Sequence, residues 1–202
     1  MGYHVTCLDI SASLLDFIKA RTSHLPTPVN TICGDMATVN IDDTFDVILF
    51  NASLHHSLEH RDVIQRIDRL LSASGIVAFT AEPVVPDNSA TVPYPWGIRL
   101  DGLSVWSICK WGWLELGFQE SYFVRLLKDA GWKLTRQNLG LSGATDVWIA
   151  TKTDQEASYS ETTTTSEGYN VDLESEVIRL KHLVEGYEQG RFIRFMKRLK
   201  AR

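Results

Sequence analysis

FDVILFNASLHHS, residues 45–57, is an almost unbroken apolar run that stops at Asn51 and gives way to a loop carrying His55 and His56. Such a run reads as a β-strand covered on both faces, as in the middle of a parallel sheet. Two runs of the same kind precede it. Val5–Leu8 stops at Asp9, and Val29–Cys33 stops at Gly34-Asp35. In an open α/β sheet, ligands sit in the crevice outside the carboxyl ends of the strands. Asp9, Asp35 and Asn51 are therefore candidates to line a ribose, an adenine and a charged small-molecule tail.

The segments between these runs read as helices. Ser11 can cap a helix carrying Leu14, Leu15, Phe17 and Ile18, which Pro26 and Pro28 stop. Arg61–Leu71 places Val63, Ile64, Ile67, Leu70 and Leu71 on one stripe, and Ser74-Gly75 is expected to end that helix. Ile76–Thr80 is the next buried strand, leaving at Glu82-Pro83. Strands and helices alternating at these lengths predict βαβ units and an α/β fold with a parallel sheet. Residues 84–118, with Pro86, Pro93, Pro95, Trp96, Trp106, Trp111 and Trp113, break the rhythm. They read as loops and short helix forming a lid or acceptor insert. A helix over Glu120–Ala130 and a hairpin of Trp132–Leu139 with Asp146–Thr151 close a domain over residues 1–152. Residues 153–170, polar and rich in Thr, Ser and Glu, read as a flexible linker. Residues 171–202 predict a basic amphipathic helix, whose end from Arg191 to Arg202 has six basic residues and no acid.

Composition limits the function classes. A chain of 202 residues, 44% hydrophobic with a net charge of −5, suits one soluble domain plus an appendage and gives no general case for nucleic-acid binding. Cys7, Cys33 and Cys109 form no C-x-x-C pair. The first two fall in predicted buried strands, so reduced core cysteines in a cytoplasmic protein are expected. No signal peptide or membrane-length run is visible. No metal is expected: His55, His56 and His60 cluster without an acid to complete a ligand set. The basic end, 191–202, predicts docking on a protein, with peripheral attachment to anionic lipid as the alternative.

Several residues have both a chemical and a purely structural reading. Asp9 can accept from both hydroxyls of a ribose, or cap the helix that follows. Asp35, after a glycine that would let a planar ring approach, can accept from an adenine amino group with Met36 against the ring face; it can equally be a turn acid. Asn51 and Ala52 sit where backbone groups would face the ligand tail. His55 and His56 can each act as general base, orient a substrate hydroxyl, or pack as loop histidines. Glu82 can bind an acceptor or mark the strand's exit. Trp96 and Arg99 are expected as lid contacts to the acceptor.

Taken together, "GYHVTCLDIS", "ICGDM", "FDVILFNASLHHS" and "GIVAFTAEP" resemble class I S-adenosylmethionine-dependent methyltransferases over residues 2–152. The resemblance implies a Rossmann-like methyltransferase sheet and S-adenosyl-L-methionine as cofactor. It implies Asp9 on the cofactor ribose, Ile10 against the adenine, Asp35 and Met36 on the adenine, and Asn51 beside the methionine portion. The family's first strand, glycine-rich turn and first helix have no counterpart here, so an N-terminally truncated, impaired enzyme is expected. "YPWGIRLDG", "GWLELGF" and the tail resemble methyltransferases found beside glycosyltransferases in bacterial surface-polysaccharide clusters. That implies polysaccharide biosynthesis and a small polar or sugar acceptor. A nicotinamide-dependent oxidoreductase competes less well, since no tyrosine has a lysine four residues on. A non-catalytic methyltransferase-like binding module is the alternative from outside enzymes.

Overall fold

In the computed structural model, which describes residues 2–138, 146–152 and 158–163, strand β1 (Thr6–Asp9) runs into helix α1 (Ala12–Thr22). The turn between them is closed twice: Ser11 donates its N–H to Asp9 Oδ1 at 2.7 Å, and the Ser11 hydroxyl caps Leu14 N–H at 3.3 Å. Strand β2 (Asn30–Cys33) returns parallel to β1, with Asp9 opposite Cys33. Strand β3 (Phe45–Asn51) leads through a short 3-10 turn, Leu54–His56, into helix α2 (His60–Leu70) and strand β4 (Leu71–Thr80), which pairs parallel to β3. This is the expected βαβ rhythm.

The insert is more ordered than its proline content predicts. It holds strand β5 (Val84–Val85), strand β6 (Trp96–Ile98), helix α3 (Gly102–Trp111) and strand β7 (Leu116–Gln119), the three strands forming their own sheet in the order β5-β7-β6. Helix α4 (Glu120–Asp129) follows, then strands β8 (Trp132–Asn138) and β9 (Val147–Lys152), an antiparallel pair as expected, and strand β10 (Tyr159–Thr163). The main sheet has the order β10-β8-β9-β4-β3, while β1 and β2 form a separate parallel pair. Tying the pair to the rest, Arg66 on α2 donates to the carbonyls of Ala37 and Val39, and Met36 and Ala37 pack against the core.

The core lies between the main sheet, α2, α4 and the insert sheet, around Ile64, Phe79, Phe118, Phe123, Trp132, Leu134 and Trp148. Phe79 meets Phe123 edge-on at 5.4 Å, and Phe123 meets Trp148 at 5.4 Å. Burying each such side chain contributes on the order of 1.5–3 kcal/mol. No helix among the described residues is long and apolar enough to cross a membrane.

Several expectations need correction. Helix α2 stops at Leu70 rather than at Gly75, because Leu71 already has extended backbone and begins β4. Between Leu71 and Ile76 the register slips, and Gly75 sits so close to Leu71 and the Phe45 carbonyl that a Cβ there would clash at 2.8 and 3.1 Å. Strand β3 is not covered on both faces: it is the edge of its sheet, and Val47 and Leu49 are 56% and 59% exposed. Nor are the cysteines core residues, since the two-stranded β1–β2 sheet leaves Cys33 exposed and Cys7 half-buried. The linker expected over 153–170 contains β10, which pairs parallel to β8. Tyr159 anchors it by stacking on Trp148 at 6.0 Å and donating to Glu120 at 3.2 Å. The expected C-terminal helix and its basic end lie outside the described residues.

Candidate functional site

Two neighbourhoods arise at the strand ends. The first belongs to β3 and β4. Glu82, just past β4, is fully enclosed, and its carboxylate accepts four hydrogen bonds: from the N–H groups of Ser53 (2.7 Å), Leu54 (2.9 Å) and His55 (3.1 Å), and from His55 Nδ1 (2.8 Å). Burial alone would raise its pKa. The bond to His55, that residue's charge and the Ser53 and Leu54 N–H groups outweigh burial and hold it below the usual carboxylate range. An ionised carboxylate only accepts, so His55 Nδ1 carries a proton, and in the neutral ring Nε2 presents its lone pair. Glu82 was expected to touch an acceptor; enclosed as it is, it positions His55 and closes the 3-10 turn instead.

His55 Nε2 points at Glu115, which precedes β7, with Oε2 at 3.7 Å. His56 lies beside it, ring centroids 4.1 Å apart, and its Nδ1 donates to the Leu114 carbonyl, so its Nε2 is also unprotonated in the neutral ring. One nitrogen from each histidine and one Glu115 oxygen lie within 4.8 Å of one another. The acid that the sequence failed to pair with these histidines is thus Glu115, supplied from about sixty residues downstream. Arg99 approaches Glu115 at 3.9 Å while donating to Asp101 at 2.9 Å, which places it at the rim of this cluster. Trp96 does not reach the rim: it is packed inward, edge-on to His60 at 4.7 Å and close to Tyr122. The aromatic groups that do adjoin the histidines are those of Trp113, 6.3 Å from His56, and Trp111, stacked on Trp113 at 6.1 Å.

Asn51 and Ala52 complete this neighbourhood. Asn51 Oδ1 accepts from the Thr80 hydroxyl at 2.9 Å, tying the ends of β3 and β4 together. Ala52 has φ of 49° and Ala81 of 55°, both left-handed. Each costs roughly 1–2 kcal/mol for a residue with a Cβ. Backbone strain of this kind clusters at functional positions, which makes these two strand ends candidates for one.

The second neighbourhood belongs to β1 and β2. Asp9, half-buried, and Asp35, exposed, stand on adjacent parallel strands. Each is bonded only locally: Asp9 to Ser11 N–H, Asp35 to Ala37 N–H at 2.8 Å. Ile10 is exposed beside them. A glycine at position 34 has a packing cause, since a Cβ there would meet Val39 at 2.8 Å. The two acids and the open apolar surface of Ile10 fit the ribose and adenine of a nucleoside. Neither β1 nor β3 is followed by a glycine-rich turn.

Known proteins place this arrangement. The family model described as "Methyltransferase domain" matches residues 1–79. An uncharacterized methyltransferase of Mycobacterium tuberculosis is 30% identical over 76 residues, covering 37% of this chain and 38% of the relative, so the chain spans well under half of that relative's length. A SAM-dependent methyltransferase of Methanosarcina mazei superposes with a TM-score of 0.54 at 17% identity, covering 75% of this chain and 82% of the other. The 1,6-didemethyltoxoflavin-N1-methyltransferase of Burkholderia thailandensis, solved with bound 1,6-didemethyltoxoflavin and S-adenosylhomocysteine, gives a TM-score of 0.53 at 20% identity, covering 76% of this chain and 63% of the other. Residues 1–79 therefore carry the methyltransferase-domain pattern, and the described chain has the Rossmann-like α/β fold of S-adenosylmethionine-dependent methyltransferases.

Proposed function

We propose that this protein transfers a methyl group from S-adenosyl-L-methionine to a small polar acceptor, a sugar hydroxyl or amine being the preferred class. The observation that carries the reading is the division of the strand ends: nucleoside-type acids at Asp9 and Asp35, and a buried Glu82–His55 pair facing an open aromatic rim. When bound, S-adenosylmethionine supplies an electrophilic sulfonium methyl group, so in-line positioning of the nucleophile does most of the work. Asp9 accepts from the ribose hydroxyls and Asp35 from the adenine amino group, with Ile10 and Met36 against the ring. Asn51 and Ala52 border the methionine end.

His55 takes the acceptor's proton at Nε2, its tautomer fixed by Glu82, and His56 orients the acceptor. Trp111, Trp113 and Trp106, each 54–55% exposed, offer flat apolar faces to a sugar ring. A sugar acceptor agrees with a place in polysaccharide biosynthesis in the cytoplasm. We also propose that cofactor affinity is low, because β1 and β3 belong to different sheets and no strand joins them among the described residues.

Calorimetry with S-adenosylmethionine tests the reading. Weak, saturable binding is expected, reduced at least about tenfold by Asp9→Ala, one charge-assisted contact being lost. Binding that ignores Asp9→Ala overturns the ribose assignment. Complete absence of binding favours the non-catalytic module, which the unpaired edges of β1 and β3 also support.

A further inference from the structure

We propose that His55, His56 and Glu115 form a binding site for a first-row divalent cation of the zinc type. This inference goes beyond methyl transfer and does not depend on it.

Three observations converge. First, the donor set is two imidazoles and one carboxylate, the three-ligand set that leaves a further position open on zinc. Second, both histidines have their Nδ1–H committed to an acceptor, His55 to the buried Glu82 carboxylate and His56 to the Leu114 carbonyl. That is the outer-shell arrangement that fixes the tautomer of a metal-ligating histidine and leaves its Nε2 available in the neutral ring. Third, Glu115 has a side chain only 11% exposed, and among the described residues no donor comes within hydrogen-bond range of its carboxylate; His55 and Arg99 stand off at 3.7 and 3.9 Å. In the neutral ring the Nε2 lone pair of His55 faces this carboxylate at 3.7 Å, and two electron-pair donors turned toward each other are stabilised by a cation between them. Ligands about 2.0–2.2 Å from a tetrahedral ion sit about 3.4 Å apart. The His55–Glu115 separation of 3.7 Å is already close to that, and the whole cluster spans 4.8 Å.

A lone pair given to an ion cannot also take a proton. A bound ion would instead acidify a hydroxyl in its open position, whose proton would pass to solvent.

The test is titration of chelator-treated full-length protein with Zn2+ alone, at neutral pH and without cofactor, by calorimetry. Saturable binding of one ion per chain is expected. His56→Gln and Glu115→Gln should each weaken it about tenfold or more, while both variants keep the parent's melting curve in chelator. His56 is exposed, so its replacement reports on binding even if Glu115→Gln proves unstable. No binding, or binding that both variants leave unchanged, overturns the proposal. Because cofactor is absent, neither result can be confused with failure of the methyl-transfer reading.

Discussion

The carboxylate beyond β4 and those beyond β1 and β2 are held in opposite ways. Glu82, beyond β4, is enclosed and accepts four hydrogen bonds that fix both a turn and an imidazole. Asp9 and Asp35, beyond β1 and β2, each accept one bond from their own chain. A buried acid with every lone pair engaged is part of the fold, and removing it leaves donors unpaired. An acid at the open edge of a two-stranded sheet contributes little to folding and is free to contact a ligand. The strand ends of β3 and β4 are therefore fixed by the fold, whereas those of β1 and β2 are thinly supported.

The sharpest way to break this contrast is Glu82→Ala. It leaves the N–H groups of Ser53, Leu54 and His55 and the His55 ring without their acceptor, and should cost about 3–5 kcal/mol in urea unfolding. A cost below about 1 kcal/mol would mean that the 3-10 turn stands without Glu82 and that His55 is not held in place.

The next effect concerns pH. His60 is buried between Trp96, Phe118 and Tyr122; burial, the leading cause, pushes its pKa below the usual histidine value. Nδ1 donates to the Leu58 carbonyl at 3.1 Å and Nε2 accepts from Tyr122 at 2.7 Å, so the neutral ring is the one the fold wants. The unfolded chain then binds the proton first as pH falls, and stability declines from about pH 6.5 downward until the folded pKa is reached. The slope for one proton cannot exceed about 1.4 kcal/mol per pH unit. Denaturation between pH 5 and pH 7.5, roughly the window set by that value, should show the decline, and His60→Gln should flatten it. An equal slope in that variant would assign the decline to other groups.

Asp9→Ala should barely move the unfolding midpoint, by no more than about 1 kcal/mol, the worth of a helix-start bond. Its proposed effect is on cofactor binding. A large stability loss would place Asp9 with Glu82, as a structural acid, and remove the contrast altogether.

These differences explain what the sequence could and could not convey. Strand ends at Asp9, Asp35 and Asn51 were legible because apolar runs followed by a polar stop are local signals, as were the Ser11 cap and the β8–β9 hairpin. Glu82 was visible as a strand-end acid, but not its enclosure, which depends on the turn at Ser53–His55 folding back over it. Glu115 carried no signal at all: it is one acid in an aromatic stretch, brought to His55 only by the pairing of β7 with β6 and β5. The start of β4 was misplaced because Leu71 satisfies both the helical stripe of α2 and the strand, and tertiary pairing with Phe45 decides between them. Strand β10 was hidden by its Thr- and Ser-rich composition, which resembles a linker until Tyr159 finds Trp148.

The smallest expected effect tests the thin side most directly. Val47 and Leu49 project from the same face of β3, and both are more than half exposed even though they sit in the most apolar run of the chain. Polar replacement of an exposed residue away from special features changes stability by at most about 0.5 kcal/mol. Val47→Thr keeps the β-branched shape and isolates polarity, and Leu49→Thr repeats the test two residues along the same face. If both stay within that limit in dilute protein, the face is open in solution and β3 is a true edge. A cost of about 1–2 kcal/mol for either, growing with protein concentration, would show that the face is covered by a second copy, since burial by another molecule is linked to concentration and burial within the chain is not. A cost independent of concentration would mean that the chain covers its own edge, and the difference between the two halves of the molecule would narrow accordingly.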